Sequence, residues 1–561
     1  MQPAIYNKDN LIIFNYSKKY FNSHQQLVKS SEFKSFIAKY FQDLLGRHDD
    51  YYHYLYKDSP EKTVEEFISL IRLFLIYDLQ EINHRLLEDK SLFDSIIEDI
   101  YNYLRKFQRF SLLYSYTSIM TEGLGFIEMD TKFNNLVISL YRLIQEKLKG
   151  EKNNVYRQLH SGTNAMLVLK NYKSFLPTLY SDLWRIPFIN SLMLRTPLIL
   201  TSKNNKRVGS IDEIFQNPII NFKFKEDEWL CYPAKVGKSL AYIYFHKDFL
   251  ASAVGLSNLF TLASEEDCKC KPDLILLFGN DDNQNQCVFY EDKINDVIIG
   301  SVSYHQRMDY FGYMKKMTLT IHNLKTINQN QLPIHGSMIN ITLKNGKKKT
   351  VAFIGDSGAG KSESIEALGS IGSDDIANMD IIYDDMGTMY IKDGRVVSIG
   401  SEIGAFLRLD DLDKSSAYKD IDRSIFFNAH MANARVISPV NSYTGITQEY
   451  NVDMVFYANN YADNVGISQF KDFSSAREAF IEGKRMALGT TDESGITKTY
   501  FANPFGPMQR IDKCDMLFDQ VFKTLFANGV YVGEIYSHLG LSADKDKLNI
   551  AALELLKLLE S

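Results

Sequence analysis

A chain of 561 residues, 45% apolar and 24% charged, has the length for roughly two to four domains with separate buried cores, and its composition excludes a disordered, collagenous or coiled-coil protein. With 63 Lys and Arg against 69 Asp and Glu, the formal charge of −6 leaves none of the cation excess from which nucleic-acid backbone binding draws its affinity. Cys231, Cys268, Cys270, Cys287 and Cys514 lack zinc-ligand spacing and predict free thiols in a reducing compartment.

The stretch from Met1 to Tyr20 mixes Lys8, Asp9 and Asn10 into its apolar residues, so no signal peptide is expected. Phe67 to Tyr77, the most apolar helical stretch, is broken by Arg72 and closed by Asp78, short of the ~20 residues that span a bilayer. A cytoplasmic protein without a membrane partner is the expectation.

Helical signals dominate the first third. Ser59-Pro60 followed by Thr63-x-x-Glu66 marks a helix start, after which Val64, Phe67, Ile68, Ile71 and Leu75 recur on one face. Ser91 is positioned to cap a second helix whose apolar face runs through Leu92, Phe93, Ile96, Ile97, Ile100, Leu104 and Phe107, with Arg105 and Lys106 at its negative end. Residues 1–190 therefore read as an all-helical N-terminal domain of unassigned role, its stripes facing its own core or a protein partner. From about Leu192 short β-rich runs take over, among them Leu198–Leu200, Ala241–Phe245 and Leu274–Phe278, so 191–334 reads as a β-rich lobe and the fold class is α/β. Asn345-Gly346 and Asp393-Gly394 supply the positive-φ residues of two tight hairpins, and Lys344, Lys347, Lys348 and Lys349 form the solvated tip of the first.

Between those hairpins lies the chemistry. Val351-Ala-Phe-Ile354 is a buried-strand run that leads into Gly355-Asp-Ser-Gly-Ala-Gly-Lys361-Ser362, and Ser364-Ile-Glu-Ala-Leu368 continues as helix, which is a complete phosphate-binding loop in its strand–loop–helix setting. Backbone amides over Gly355, Asp356, Ser357, Gly358, Ala359, Gly360 and on to Glu363 can wrap the phosphates of ATP, Lys361 reaches the β- and γ-phosphates, and the Ser362 hydroxyl holds Mg²⁺. Asp384 and Asp385 end an apolar run about two dozen residues after Lys361, where a hard divalent cation finds its carboxylates.

These residues resemble the superfamily of phosphoenolpyruvate carboxykinases and HPr kinases, whose loops share an SGxGK core. Flanking segments resemble the ATP-dependent carboxykinase branch. Tyr310-Phe-Gly-Tyr-Met-Lys315-Lys316 is similar to YxGEMKKG, Leu332-Pro-Ile-His335-Gly-Ser to MHCSAN, and Glu402-Ile-Gly-Ala-Phe-Leu-Arg408 to EGGCYAK. Asn433-Ala-Arg435-Val-Ile-Ser-Pro439 is similar to NTRVSYP, and Gly489 to Thr497 to the lid stretch GTERGIT. The resemblance runs from about Leu240 to Ser537 and implies a carboxykinase-like P-loop nucleotide-binding domain with a mixed sheet over 335–561, with 191–334 as its substrate lobe.

On that resemblance Lys316, His335 and Asp385 would bind Mn²⁺, with Lys316 as a neutral amine, while Ser362 and Asp384 would serve the Mg²⁺–nucleotide. Arg435 would meet both the substrate carboxylate and the transferring phosphoryl group, Arg408 stands in for a family lysine, and Tyr310 would pack against carboxylate or CO₂. Lys361, Arg435, Lys316, Asp385 and Arg408 form the implied catalytic set. Arg195, in Arg195-Thr-Pro197, is the candidate for the substrate arginine of the family's RSPxDK motif. Departures are Tyr313 for the glutamate of GEMKKG, Asp356 as in HPr kinases, and an adenine segment reduced to Asp546-Lys547-Leu-Asn-Ile550. The implied reaction converts oxaloacetate and ATP to phosphoenolpyruvate, CO₂ and ADP. A kinase of a protein serine or small alcohol, with Asp384 or Asp385 as base, and a nucleotide-sensing regulatory protein are the alternatives.

Overall fold

The computed structural model describes residues 5–45, 47–115, 122–150, 162–173, 176–207, 209–282, 284, 286–409, 421–487, 495–541 and 545–561. Two units divide the chain, Met1–Lys170 with Ile189–Arg195, and Asn171–Phe188 with Thr196–Ser561. Thr196–Ser561, expected to divide near residue 334, falls within one of these units. Among the described residues no helix is long and apolar enough to cross a membrane, and Cys231, Cys268, Cys270, Cys287 and Cys514 are all free thiols.

The expectation of an all-helical first domain is corrected. Strands Ile5–Lys8, Leu11–Asn15, Gln108–Tyr114, Ala165–Lys170 and Phe188–Leu194 lie side by side in that order. Leu11–Asn15, Gln108–Tyr114 and Ala165–Lys170 run parallel. Parallel neighbours require crossovers, and these are the helices. Ser31–Leu44, Pro60–Phe74 and Lys90–Lys106 fill the first connection and Glu122–Lys149 the second. Leu11-Ile-Ile-Phe-Asn15 is buried throughout, so it shows no alternation to set it apart from a helical core segment. Ser59 caps Pro60–Phe74 as its motif predicts, accepting from the Lys62 amide. The cap of Lys90–Lys106 is Asp89 rather than Ser91.

In the second unit a mixed sheet orders Trp229–Val236, Ser239–His246, Leu274–Asn280, Val297–Ser303, Cys287–Asp292 and Asp212–Glu213. Helix α1 (Phe311–Asn328) crosses this sheet and is buried over nearly all its length. Gly300 permits the approach: a Cβ there would stand 2.7 Å from Met317 Cγ.

A second mixed sheet carries the phosphate loop. Its strands are β1 (Leu332–Leu343), β2 (Lys348–Ile354), β3 (Ile376–Tyr383), β4 (Met386–Lys392), β5 (Arg395–Gly400), β9 (Met454–Asn459) and β10 (Tyr531–Tyr536), numbered so that β6 (Gly404–Arg408), β7 (Ile425–Phe427) and β8 (Arg435–Pro439) form a small sheet of their own with Leu198–Leu200. β1 is antiparallel to β2, to β3 and to β4, whereas β2, β9 and β10 are parallel. Both expected hairpins are present, with Gly346 at φ +87° joining β1 to β2 and Asp393 (φ +50°) with Gly394 (φ +75°) joining β4 to β5.

Alternation along β2 builds a core on each face of this sheet. Val351 and Phe353 pack with α2 (Lys361–Ile371) and the C-terminal α3 (Lys545–Glu560), while Ala352 and Ile354 pack with the aromatic cluster of Phe480, Phe518 and Phe522. Each such fully buried aromatic contributes about 1.5–3 kcal/mol. The carboxyl ends of β2 and β9 are left as the place where an α/β sheet receives ligands.

Candidate functional site

The loop after β2 folds as its glycines require. Gly358 and Gly360 have φ of +78° and +102°, and a Cβ on Gly360 would stand 2.4 Å from Ser537 Cβ. Lys361 opens α2, and its Nζ donates to the Gly355 carbonyl at 2.8 Å and the Asp356 carbonyl at 3.2 Å. The ammonium is therefore held over the loop mouth by acceptors that phosphate oxygens can replace.

Asp356, counted by sequence among the nucleotide contacts through its backbone amide, gives its side chain to protein partners. It is buried, it accepts from the Ser357 amide at 2.7 Å, and its Oδ2 receives Arg485 Nε and Thr499 Oγ1, each at 3.1 Å. Burial works against its charge, but His335 and Arg485 outweigh it and hold the carboxyl below its ordinary value. Arg485 stands on the short hairpin Lys484–Met486 and Ile496–Lys498, so Asp356 ties the phosphate loop to that hairpin. Of the expected lid stretch, Gly489 to Ser494 lie outside the described residues.

Just past β3, two adjacent carboxylates face different partners. Asp384 Oδ1 accepts from Ser362 Oγ at 3.0 Å and from Ser337 Oγ at 2.9 Å, joining the P-loop serine to the end of the strand. Burial, with Asp385 alongside, raises its pKa against the pull of those hydroxyls and of Lys361. Asp385 Oδ1 lies 3.0 Å from His335 Nε2, and its Oδ2 accepts from Lys315 Nζ. Burial opposes the charge of Asp385, but Lys315 and His335 override it and push the carboxyl well below its ordinary range. Lys315 is also 3.3 Å from Glu402 Oε1 and has a raised pKa: burial disfavours its charge, and Asp385 with Glu402 more than restores it. Burial pushes Glu402 up to about 8, so at neutral pH most of that carboxyl is protonated.

His335 carries the geometry of a metal ligand. Its Nδ1 lies 2.6 Å from the Ala502 carbonyl, an acceptor, so one ring proton belongs there, and Nε2 meets Asp385 either as a donor carrying a second proton or, where a cation takes that proton's place, with its lone pair. Two acceptors facing each other at 3.0 Å need a second proton or a cation between them. Lys316 Nζ and the His335 ring share Phe505, the ammonium 5.5 Å above its centroid and the imidazole edge-on with centroids 5.3 Å apart. Burial, followed by the field of Arg207, pushes Lys316 down to about 8, which makes a neutral amine accessible near physiological pH. Lys316, His335 and Asp385 thus fit a borderline cation such as Mn²⁺, and Ser362 with Asp384 fits Mg²⁺ on a nucleotide. Among the described residues no group of three or more His, Cys, Asp and Glu side chains could hold a metal; the set just named depends on a lysine.

The small sheet supplies the cations. Arg408 on β6 and Arg435 on β8 are register partners, and like charges so placed repel unless an anion joins them. Arg435 Nε is buried without a hydrogen-bond partner. Phe406 gathers the group, with Arg435 and Lys315 each 5.4 Å from its ring centroid and the Tyr310 ring at 6.4 Å. Tyr310 lies against Gly312, where any Cβ would stand 2.2 Å from its ring.

Arg195 is placed by other contacts. It belongs to the first unit, where Nη2 pairs with the fully buried Asp130 at 2.7 Å. Arg207, which sequence reasoning passed over, is the guanidinium whose field reaches Lys316, and its Nε is buried without a partner. Ser337, Glu402, Phe406 and Arg485 likewise carry no role in the sequence reading; of these only Arg485 lies outside the segments already singled out. At the adenine segment, Lys547 Nζ pairs with Asp463 at 3.2 Å and Ile550 is 43% exposed on α3. Compared with models of known protein families and with curated proteins, the chain matches none.

Proposed function

We propose that the second unit is a carboxykinase-like enzyme that uses ATP to convert oxaloacetate to phosphoenolpyruvate, CO₂ and ADP. One observation carries the reading: neighbouring carboxylates divide their attention, Asp384 toward the P-loop serine Ser362 and Asp385 toward His335 and Lys315. That division provides two cation positions beside one phosphate loop, which suits a reaction that builds charge on an enolate and on a phosphoryl group together.

In this reading the loop amides and Lys361 bind the β- and γ-phosphates, and Ser362 with Asp384 orients the nucleotide's cation. Lys316, His335 and Asp385 hold Mn²⁺, which when bound supplies Lewis-acid stabilisation to the oxygens of the substrate. Lys315 keeps Asp385 ionised, and the Ala502 carbonyl keeps the His335 ring in the tautomer that offers Nε2. Arg435 and Arg408 neutralise the substrate carboxylate and the phosphoryl oxygens passing between the two reactants. A plain kinase would use Lys361, Ser362 and Asp384 and leave Lys316, His335 and Asp385 without a task.

Incubation of the purified chain with oxaloacetate, ATP, Mg²⁺ and Mn²⁺ tests this. Phosphoenolpyruvate formation dependent on all four is expected; ATP turnover without decarboxylation would move the assignment to a kinase.

A further inference from the structure

One short segment, Thr499 to Asn503, touches both the phosphate loop and a ligand assigned to Mn²⁺. At its start Thr499 Oγ1 donates to Asp356 Oδ2 at 3.1 Å. Three residues on, the Ala502 carbonyl lies 2.6 Å from His335 Nδ1 and accepts its proton. Asn503, fully buried, fastens the far end to the strand that carries His335, its Nδ2 donating to the Pro333 carbonyl at 3.3 Å.

The backbone between these contacts is strained. Phe501 and Ala502 both stand in the left-handed region, at φ +51° and +49°, which residues bearing a Cβ seldom enter and which two in succession hold only where the surroundings compel it. Neither position is a glycine, asparagine or aspartate, the residues that take this conformation most easily. Left to local preference the turn would open and carry the Ala502 carbonyl away from His335. Its closing bond runs from the Ala502 amide to the Thr499 carbonyl at 2.7 Å, so the grip on Thr499 is a grip on the turn.

That grip comes from the phosphate loop. The Asp356 carbonyl receives Lys361 Nζ at 3.2 Å, and Asp356 Oδ1 accepts from the Ser357 amide at 2.7 Å and stands 3.7 Å from His335 Nδ1. A phosphate group seated on the loop amides therefore fixes the carboxylate that holds Thr499. We propose that Asp356 and Thr499 are positioning residues that couple the two halves of the site: a nucleoside triphosphate at the loop tightens the cation held by Lys316, His335 and Asp385, and that cation tightens the nucleotide by the same factor. This coupling rests on the cation assignment above and adds its route, from the loop through Asp356, Thr499 and the Ala502 carbonyl to His335.

A cation and a triphosphate also attract through space, so the route is read with a variant that leaves every charge in place. Thr499→Val keeps the volume of the half-buried side chain and loses its hydroxyl, while the Arg485 bond to Asp356 remains; Thr499→Ser keeps the hydroxyl. Electron paramagnetic resonance titrations of the full chain with Mn²⁺, in excess Mg²⁺ to fill the nucleotide's own cation position, give the coupling as the ratio of Kd values without and with a non-hydrolysable ATP analogue. A ratio of about ten is expected for wild type and Thr499→Ser, and about three or less for Thr499→Val. A threonine with a merely structural role would weaken Mn²⁺ equally in both titrations and leave the ratio unchanged. A wild-type ratio in Thr499→Val, a ratio of one in wild type, or a Thr499→Ser ratio as low as that of Thr499→Val would overturn the coupling and leave the Mn²⁺ site and the proposed reaction standing. Mn²⁺ bound in neither titration would overturn the site and the coupling together.

Discussion

Lys315→Met tests the electrostatic frame of the site independently of its activity. The lysine side chain is 2% exposed, donates to Asp385 and lies 3.3 Å from Glu402. Removing one partner of a buried pair leaves the other charge uncompensated, at a cost of about 3–5 kcal/mol. Glu402, pushed up to about 8, is mostly neutral at pH 7, and His335 still lies 3.0 Å from Asp385, so one partly compensated charge is stranded rather than two. This places the loss near the lower end, about 3 kcal/mol, or roughly 5 °C of melting temperature for a unit of this size. Because the penalty comes from Asp385, Lys315→Met/Asp385→Asn should recover more than half of it. Differential scanning calorimetry of the three proteins at pH 7 reads both numbers. A single variant within about 1 °C of wild type, or a double variant no more stable than the single, would refute the account of Asp385 as a buried charge held by Lys315.

Three further outcomes are expected. Lys361→Ala should lower kcat for phosphoryl transfer by about 10²–10³-fold with folding intact, since among the described residues its Nζ donates to two loop carbonyls and no carboxylate; circular dichroism and turnover check both parts. His322, buried in α1, is pushed down from 6.5 to about 4 by burial, so the native ring stays neutral while the unfolded ring takes up a proton. Its contribution is complete above pH 6.5 and lost as pH falls toward 4, a loss of about 3 kcal/mol that denaturant titrations of wild type and His322→Gln should resolve as a difference in acid sensitivity. Because the segment 546–550 carries neither the arginine nor the threonine of the family's adenine segment, and its Lys547 pairs with Asp463, kcat/KM for ATP should exceed that for GTP by less than about tenfold; a hundredfold preference would show that another segment reads the base.

Where local chemistry dictates the backbone, the sequence was readable in detail. Only glycines accept the left-handed turns at 358 and 360, and Asn345-Gly346 and Asp393-Gly394 state their hairpins outright. Strands buried on both faces carry no such mark. Leu11–Asn15 and Ala165–Lys170 are continuous apolar runs whose periodicity cannot separate strand from helix, and the first unit was misread for that reason. Helix α1 posed the converse problem, since burial on all sides erased the amphipathic stripe by which a helix is known. At the site, motif residues found their neighbours, but the groups that tune them come from distant segments. Arg207 lies in an unremarkable polar run, and its field on Lys316 arises only when that run is folded beside α1. Arg195 has the motif's proline without the rest of its pattern, and its partner Asp130 comes from a helix 65 residues earlier that no motif announces.

The central claim is that Asp384 and Asp385 serve separate cations, and counting Mn²⁺ ions by electron paramagnetic resonance tests it most directly. One bound Mn²⁺ per chain is predicted without nucleotide and two with a non-hydrolysable ATP analogue. His335→Gln should remove the first and Ser362→Ala the second, each leaving the other in place. A single ion under both conditions, or loss of both ions in either variant, would contradict the account.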